Sequence, residues 1–411
     1  MRIGIFTDSY PPYINGVSTS IVMLQNALEK KGHEVFIVTV NAEKLSYKYE
    51  NENKIIRIPG IPTGIYDYRL TGIYPLRAID KIKKWNLDII HSQTEFGVGT
   101  FARIIAKQFD IPLVHTYHTM YEDYVHYITK GYFNGTSKKI VEYLTKFYCD
   151  KTATELIVPT EKTYKLFKEK YKFDRNVHII PTGIEVERFD RLKYTEKQLD
   201  EVRKKYNIKK DDFVILFVGR KGEEKSVDLL IESQVDFVKS NKNAKLLLVG
   251  DGPDIDSYKK LAAKLKIKDS VIFAGKVAWV DVPLYYQIAT IFATASRTET
   301  QGLTVIEAHA SSLPVIAAND PSFSSIVVDD LNGYLFKNRR QYKKIVENLM
   351  KDPDKVKQLS KQAKVSSERY SSKYFAERVL DVYKLALSGR DNNKGFFNRI
   401  KNVIKRGLHD K

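Results

Sequence analysis

Hydrophobic positions along the chain fall into short unbroken runs separated by amphipathic stretches of helix length, the pattern of parallel strands buried on both faces. Arg2–Phe6 predicts a strand, Val17–Lys30 a helix that stops near Gly32, and Val35–Val40 the next strand. Leu87–His91 and Leu113–His118 continue the series. A polar, charge-dense stretch from about Glu185 to Asp212 interrupts it. The rhythm then restarts with Phe213–Val218, Lys245–Val249, Val271–Ala274, Ile291–Thr294 and Val315–Ala318. This order predicts an α/β protein of two Rossmann-like domains, with parallel sheets facing a central cleft at their strand ends. The expected divisions are an N-terminal domain at 1–185, a linker at 186–210 and a C-terminal domain at 211–375. A terminal helix at 376–390, able to return to the first domain, and a basic tail at 391–411 complete the chain.

Composition narrows the class. At 411 residues, 43% of them hydrophobic, the chain has material for two cores. Cys149 is the only cysteine, which excludes an intrachain disulfide and a thiolate metal cage and fits a reducing cytosol. No apolar run reaches the length of a membrane span, and the one at the N-terminus is too short for a signal peptide. The net charge of +18 predicts attraction to a polyanion: nucleic acid, an anionic membrane or a phosphorylated substrate. A solvated lysine-rich surface explains the same number. Neither zinc-finger spacing nor an RNP-type aromatic motif is present, so no nucleic-acid partner is expected.

Candidate chemistry gathers at the strand ends. Gly16 precedes the first helix and lets backbone amides approach a phosphate, although a lone glycine there favours a plain turn. The unit lacks G-x-G-x-x-G, which argues against a nicotinamide dinucleotide. Beyond Phe213–Val218 come Gly219, Arg220 and Lys225, two cations suited to a diphosphate. The segment from Ser296 to Ala308 carries Glu299 and Glu307 around Gly302, Leu303 and Thr304 at a helix start. On a continuous helix the two carboxylates would stand roughly 12 Å apart. That is too far to flank one glycosidic bond, but suits the two ends of an extended ligand such as a nucleotide sugar. An acidic helix start with an ordinary exposed glutamate reads equally well. Asp254 and Asp256 form a D-x-D that reads better as acids at a helix N-terminus than as metal ligands. His91 and His115 read as packed strand residues, and His118, at a strand's C-terminal end, as a partner for a substrate hydroxyl.

Together these residues resemble the family 4 retaining glycosyltransferases of the GT-B fold across nearly the whole chain. Glu299–Glu307 looks like that family's E-x7-E, and Gly219-Arg220 with Glu224-Lys225 like its G-R…E-K. Gly250-Asp-Gly-Pro matches its second-domain turn. The resemblance implies that Arg220 and Lys225 bind the donor diphosphate and that Glu307 holds the ribose. It further implies that Glu299 and His118 contact the transferred sugar, with Gly16 at the phosphate. Tyr117–Tyr127, Thr298–Thr304 and His91…Phe96 resemble, more narrowly, the bacterial diacylglycerol α-glucosyltransferases. Those are monotopic membrane enzymes that use UDP-glucose. Where those relatives show H-x-H-T-E-F, this chain has His91-Ser-Gln-Thr-Glu-Phe, without the second histidine. The implied partners are UDP-glucose as donor substrate, diacylglycerol and an anionic membrane surface on the cytoplasmic side. No permanently bound cofactor and no essential metal are implied.

A tail and an aromatic segment carry the membrane expectation. After a polar link at Ser388–Asn393, Phe396, Ile400, Val403, Ile404 and Leu408 share one helical face, and Arg399, Lys401, Lys405 and Arg406 crowd the rest beside Phe397. This is the pattern of a short interfacial helix, or of a helix packed on the protein body. Tyr121, Tyr124, Tyr127, Lys138 and Lys139 belong to an aromatic, basic segment at 121–151, expected to face the acceptor and the bilayer.

Overall fold

In the computed structural model, residues 1–13, 15–62, 69–95, 97–118, 145, 153–297 and 299–407 are described, with side chains to residue 389. Contacts divide the chain into one unit of Met1–Gly183 with Lys373–Lys411 and a second of Ile184–Ser372.

In the first unit, β1 (Arg2–Phe6), β2 (Glu34–Val40), β7 (Ile89–Ser92), β8 (Leu113–Thr116), β9 (Glu155–Val158) and β10 (Val177–Ile179) run parallel. With β3 (Lys48–Glu50) and β4 (Ile55–Ile58) they form a sheet in the order β10-β9-β8-β7-β1-β2-β4-β3, while β5 (Gly60–Pro62) and β6 (Arg69–Thr71) make a separate antiparallel pair. Alternation divides the side chains between two faces. Ile3, Ile5, Val35 and Ile37 meet the helix Gly16–Lys30, and Phe6, Phe36, Val38 and Ile90 meet the helix Gly97–Gln108.

The second unit repeats the design. Its sheet has the order β13-β12-β11-β14-β15-β16, all parallel, built from β11 (Phe213–Val218), β12 (Ala244–Val249), β13 (Val271–Gly275), β14 (Ile291–Thr294), β15 (Val315–Ala318) and β16 (Gly333–Phe336). Val214, Leu216, Leu247 and Phe292 line one face, Ile215, Phe217, Leu246 and Leu248 the other.

Two stretches differ from expectation. Residues 186–210 are not a bare connection: Val186, Phe189, Leu199 and Ile208 are buried in the core of the second unit. Thr195 and Gln198 form a capping box for the helix Glu196–Lys205, whose charges face outward around the buried Leu199. The polarity of the sequence marks one wet face. At the C-terminus a single helix runs Ser372–Gly407 through the polar stretch at 388–393. With no proline there, each added residue contributes a hydrogen bond, and Gly389 costs only about 1 kcal/mol.

That helix belongs to the first unit. Phe375, Ala376, Val379 and Tyr383 are buried on its sheet, and the Tyr383 hydroxyl lies 2.7 Å from Nδ1 of the fully buried His91. The other His91 nitrogen is 2.7 Å from the Thr116 hydroxyl. Tyr383→Phe therefore leaves a buried ring nitrogen unmatched and is expected to lower unfolding stability by about 1–3 kcal/mol. Urea unfolding of the whole chain measures it, and an unchanged midpoint would show that the contact contributes nothing.

Candidate active site

In the second unit the chemistry sits where β11, β12 and β14 end. After β11 the chain makes the loop Gly219–Gly222 and a 3₁₀ turn, Glu223–Lys225, before the helix Val227–Ser240. The loop after β12 presses against it. A Cβ at Gly250, whose φ is +106°, would lie 2.3 Å from the Gly219 carbonyl oxygen, and one at Gly252 would lie 2.3 Å from that of Lys221. Only glycine allows this approach. Lys221 spans the seam, its buried ammonium donating to the carbonyls of Gly219 and Val249. Burial pushes Lys221 down to about 7, with Asp251 opposing.

Arg220 and Lys225, the two expected cations, are both engaged. Arg220 pairs with the buried Glu224, and Lys225 lies 2.5 Å from a carboxylate oxygen of Glu299. The Ser322 hydroxyl donates to the Glu299 carbonyl at 2.5 Å. Glu299 precedes the helix Leu303–Ala310, which starts only after Gly302 at φ +78°. The continuous-helix estimate for the two glutamates therefore does not apply. A Cβ on Gly302 would meet the Phe323 ring at 2.4 Å. The first-turn amides of Leu303 and Thr304 have no acceptor within the helix.

Glu307 lies on that helix and accepts a 2.8 Å hydrogen bond from the Tyr286 hydroxyl. Burial lifts its carboxyl to about 7, against the pull of Tyr286 and of Arg188. Arg188 stacks on Trp279 and donates to its carbonyl. Phe189 packs edge-on against the Tyr286 ring with centroids 5.6 Å apart. Lys221, Tyr286 and Arg188 were not among the expected site residues. Lys221 had a signal in its place between Arg220 and Gly222, whereas Tyr286 and Arg188 are linked to Glu307 only by the fold. Asp254 occupies the N-cap position of the helix Ile255–Lys264 without a side-chain capping hydrogen bond, and Asp256 in its first turn is 3.9 Å from Lys259.

The first unit has its own polar cluster at the ends of β1, β7 and β8. Gly16 opens its helix behind Asn15, whose side chain accepts from the Ser18 N–H at 2.9 Å. Asp8 accepts from the Thr94 hydroxyl at 2.5 Å and from the Val98 N–H at 3.1 Å; burial nonetheless raises its pKa. His115 bridges the Ser92 carbonyl and Glu95, each at 3.0 Å. His118 is 2.6 Å from Gln93, and burial pushes it down to about 4. Among the described residues no group of His, Cys, Asp and Glu could hold a metal ion. Tyr121, Tyr124, Tyr127, Lys138 and Lys139 lie outside the described residues, as do the side chains of Phe396, Phe397, Arg399, Ile400 and Lys405.

Two parallel Rossmann-like sheets with charged groups at their strand ends are the GT-B architecture, and the chain belongs to the family 4 glycosyltransferases of that fold. The "Glycosyltransferase Family 4" model matches residues 14–188 and "Glycosyl transferases group 1" residues 198–366. The chain is 38% identical over 401 residues to an alpha-monoglucosyldiacylglycerol synthase of Acholeplasma laidlawii, covering 96% of this chain and 99% of that one. A synthase of the same name from Streptococcus pneumoniae is 37% identical, covering 96% and 88%. Among solved structures, Anabaena HepE in complex with UDP superposes with a TM-score of 0.72 at 15% identity, covering 93% of this chain and 100% of that chain. Sucrose-phosphate synthase of Thermosynechococcus elongatus gives 0.72 at 18%, covering 94% and 99%. These two likenesses concern the fold.

Lys221 makes a pH-dependent contribution to stability. An unfolded lysine keeps its proton to about 10.5, and the folded one releases it near 7. Between those values the unfolded chain binds more protons, so stability rises with pH. The penalty is fully present below pH 7 and fades towards 10.5. Urea midpoints measured from pH 6.5 to 9.5 should climb, and Lys221→Met should flatten that climb. Parallel curves for the two proteins would mean that Lys221 stays charged.

Proposed function

We propose that the chain is a retaining glycosyltransferase that moves glucose from UDP-glucose to the free hydroxyl of 1,2-diacylglycerol at a membrane surface, giving α-monoglucosyldiacylglycerol. The observation that carries this reading is the 38% identity, along 96% of the chain, to a synthase named for that product. Anabaena HepE, which shares the fold, has been solved with UDP-glucose.

In this reading the bond from the sugar's anomeric carbon to the UDP phosphate oxygen breaks, a bond to the acceptor oxygen forms on the same face, and the acceptor hydroxyl's proton passes to the departing phosphate oxygen. Negative charge grows on the departing UDP. Arg220, Lys225 and the first-turn amides of Leu303 and Thr304 would meet that charge where it develops, so no metal is assigned a role. The close-packed Gly219 and Gly302 let backbone approach the donor, and Gly16 does so at the phosphate. Glu307 holds the ribose, Glu299 the transferred sugar, and His118 a sugar hydroxyl.

The acceptor side rests on the aromatic segment at 121–151 and on the basic tail. Each Lys or Arg near an anionic lipid surface contributes about 1 kcal/mol. Among the described residues no helix is long and apolar enough to cross a membrane. The enzyme acts on the cytoplasmic face as a peripheral protein.

The deciding experiment is transfer of radiolabel from UDP-glucose into mixed micelles of diacylglycerol and anionic phospholipid. A labelled glycolipid is expected, falling at least a hundredfold in Glu299→Ala, a loss of about 3 kcal/mol of transition-state stabilisation. Label entering only from UDP-galactose, or only into another acceptor, would overturn the assignment. Deleting residues 394–411 is expected to abolish sedimentation with anionic vesicles while leaving activity in detergent intact. Undiminished vesicle binding would remove the tail from the account.

A further inference from the structure

Gln93 is the residue at which this chain departs from the H-x-H-T-E-F pattern of its relatives, and the fold gives it a definite task. It directly follows β7, its backbone N–H donates to the Phe6 carbonyl at 2.9 Å, and it is only 3% exposed. Its side-chain oxygen lies 2.6 Å from Nε2 of His118. An amide oxygen can only accept, so Nε2 carries the proton and Nδ1 keeps a lone pair.

The groups around His118 do not supply that instruction. Glu95 and His115 face it, with His91, Arg103 and Asp8 beside those two. The nearest carboxylate, Glu95, is bound to His115 at 3.0 Å, and His91 is occupied by Tyr383 and Thr116. Burial keeps His118 neutral down to about 4. A neutral imidazole has two tautomers, and the partner of one nitrogen selects between them. A histidine at position 93 would itself take up and release protons in the same range. Glutamine holds one hydrogen-bonding pattern at every working pH.

We propose that Gln93 is a positioning residue that locks His118 as the Nε2–H tautomer, so that Nδ1 accepts a hydrogen bond from a hydroxyl of the bound sugar. This rests on the reading of His118 as a sugar contact, and the test separates the two. ¹⁵N shifts of the imidazoles in histidine-labelled full-length protein, with His118 assigned by His118→Asn, report the tautomer without any substrate. The Nε2–H form is expected in the wild type. Gln93→Leu should give a tautomer mixture and lower kcat/KM about ten-fold, the worth of one hydrogen bond.

Gln93→Glu serves as the conservative variant. Its carboxylate still accepts from Nε2–H and restores the tautomer, but it also favours the imidazolium. The acidic fall of the kcat/KM profile should then be steeper than in the wild type, by one further titrating group. An Nδ1–H wild type, as a reversed Gln93 amide would give, overturns the proposal, and so does a His118 signal indifferent to Gln93→Leu. A locked tautomer in a protein that transfers no sugar would uphold the positioning of His118 by Gln93 and sink the sugar contact together with the functional reading.

Discussion

A parallel sheet covered on both faces leaves little room for an unpaired charge along its strands. In both units strand interiors are mostly apolar and buried, and polar exceptions such as Arg57 on β4, His91 on β7 and His115 on β8 each have a hydrogen-bond partner, because a buried charge without one would lose its water uncompensated. Polar chemistry is thereby driven to the loops after the strands, where side chains and backbone amides point out of the sheet. The site of the second unit is a consequence of that exclusion. Its loops are held by contacts that only glycine permits, at Gly250 and Gly252, and by a lysine that gives up solvent to join two strand ends. That lysine joins Gly219 to Val249 through its ammonium, and its backbone N–H donates to the Asp251 carbonyl in the loop after β12.

The charges at those ends are matched in pairs. Arg220 meets Glu224 and Lys225 meets Glu299. An anionic ligand does not find bare cations; it competes with carboxylates already in place. Such pairing lowers the cost of holding partly buried cations side by side. It also ties Glu299 to the cation that the proposed reaction turns towards the departing phosphate. Glu307 is handled differently. Its partners are a phenol and a nearby guanidinium, and burial dominates, so its carboxyl titrates near 7. Glu299 instead faces the ammonium of Lys225.

The strands were the most legible part of the sequence, because continuous apolar runs mark burial on both faces. Phe213–Val218, Ile291–Thr294 and Val315–Ala318 are strands at the expected residues. Ile55–Ile58, Val177–Ile179 and Gly333–Phe336 escaped because they are short and sit among charged or glycine-rich neighbours. Residues 186–210 misled through composition: one buried leucine per amphipathic helix suffices to anchor it, and the charges outnumber it. Within the site, Arg220, Lys225 and the two glutamates were visible as motifs. Tyr286 was not, since its contact with Glu307 spans 21 residues of sequence and no local period encodes that pairing; Gln93 was visible only as a missing histidine, and its pairing with His118, 25 residues on, was not.

The strand ends of the second unit carry ion-paired cations and those of the first a buried, neutral histidine, and the proposed reaction gives each a part. As the bond to UDP breaks, the phosphate side grows negative and the sugar grows positive. Cations and helix amides suit the first. A protonated imidazole against the sugar would oppose the second and raise the barrier, so a histidine there must be neutral. In the proposed reaction His118 would meet that requirement through burial, which pushes it down to about 4, while Glu95, which pulls the other way, hydrogen-bonds His115. Neutrality alone leaves the direction of its hydrogen bond open, and a glutamine in contact with Nε2 closes it without adding charge. On the proposed reading, the residue that departs from the pattern of the diacylglycerol α-glucosyltransferases is then the one that gives an already uncharged histidine its direction.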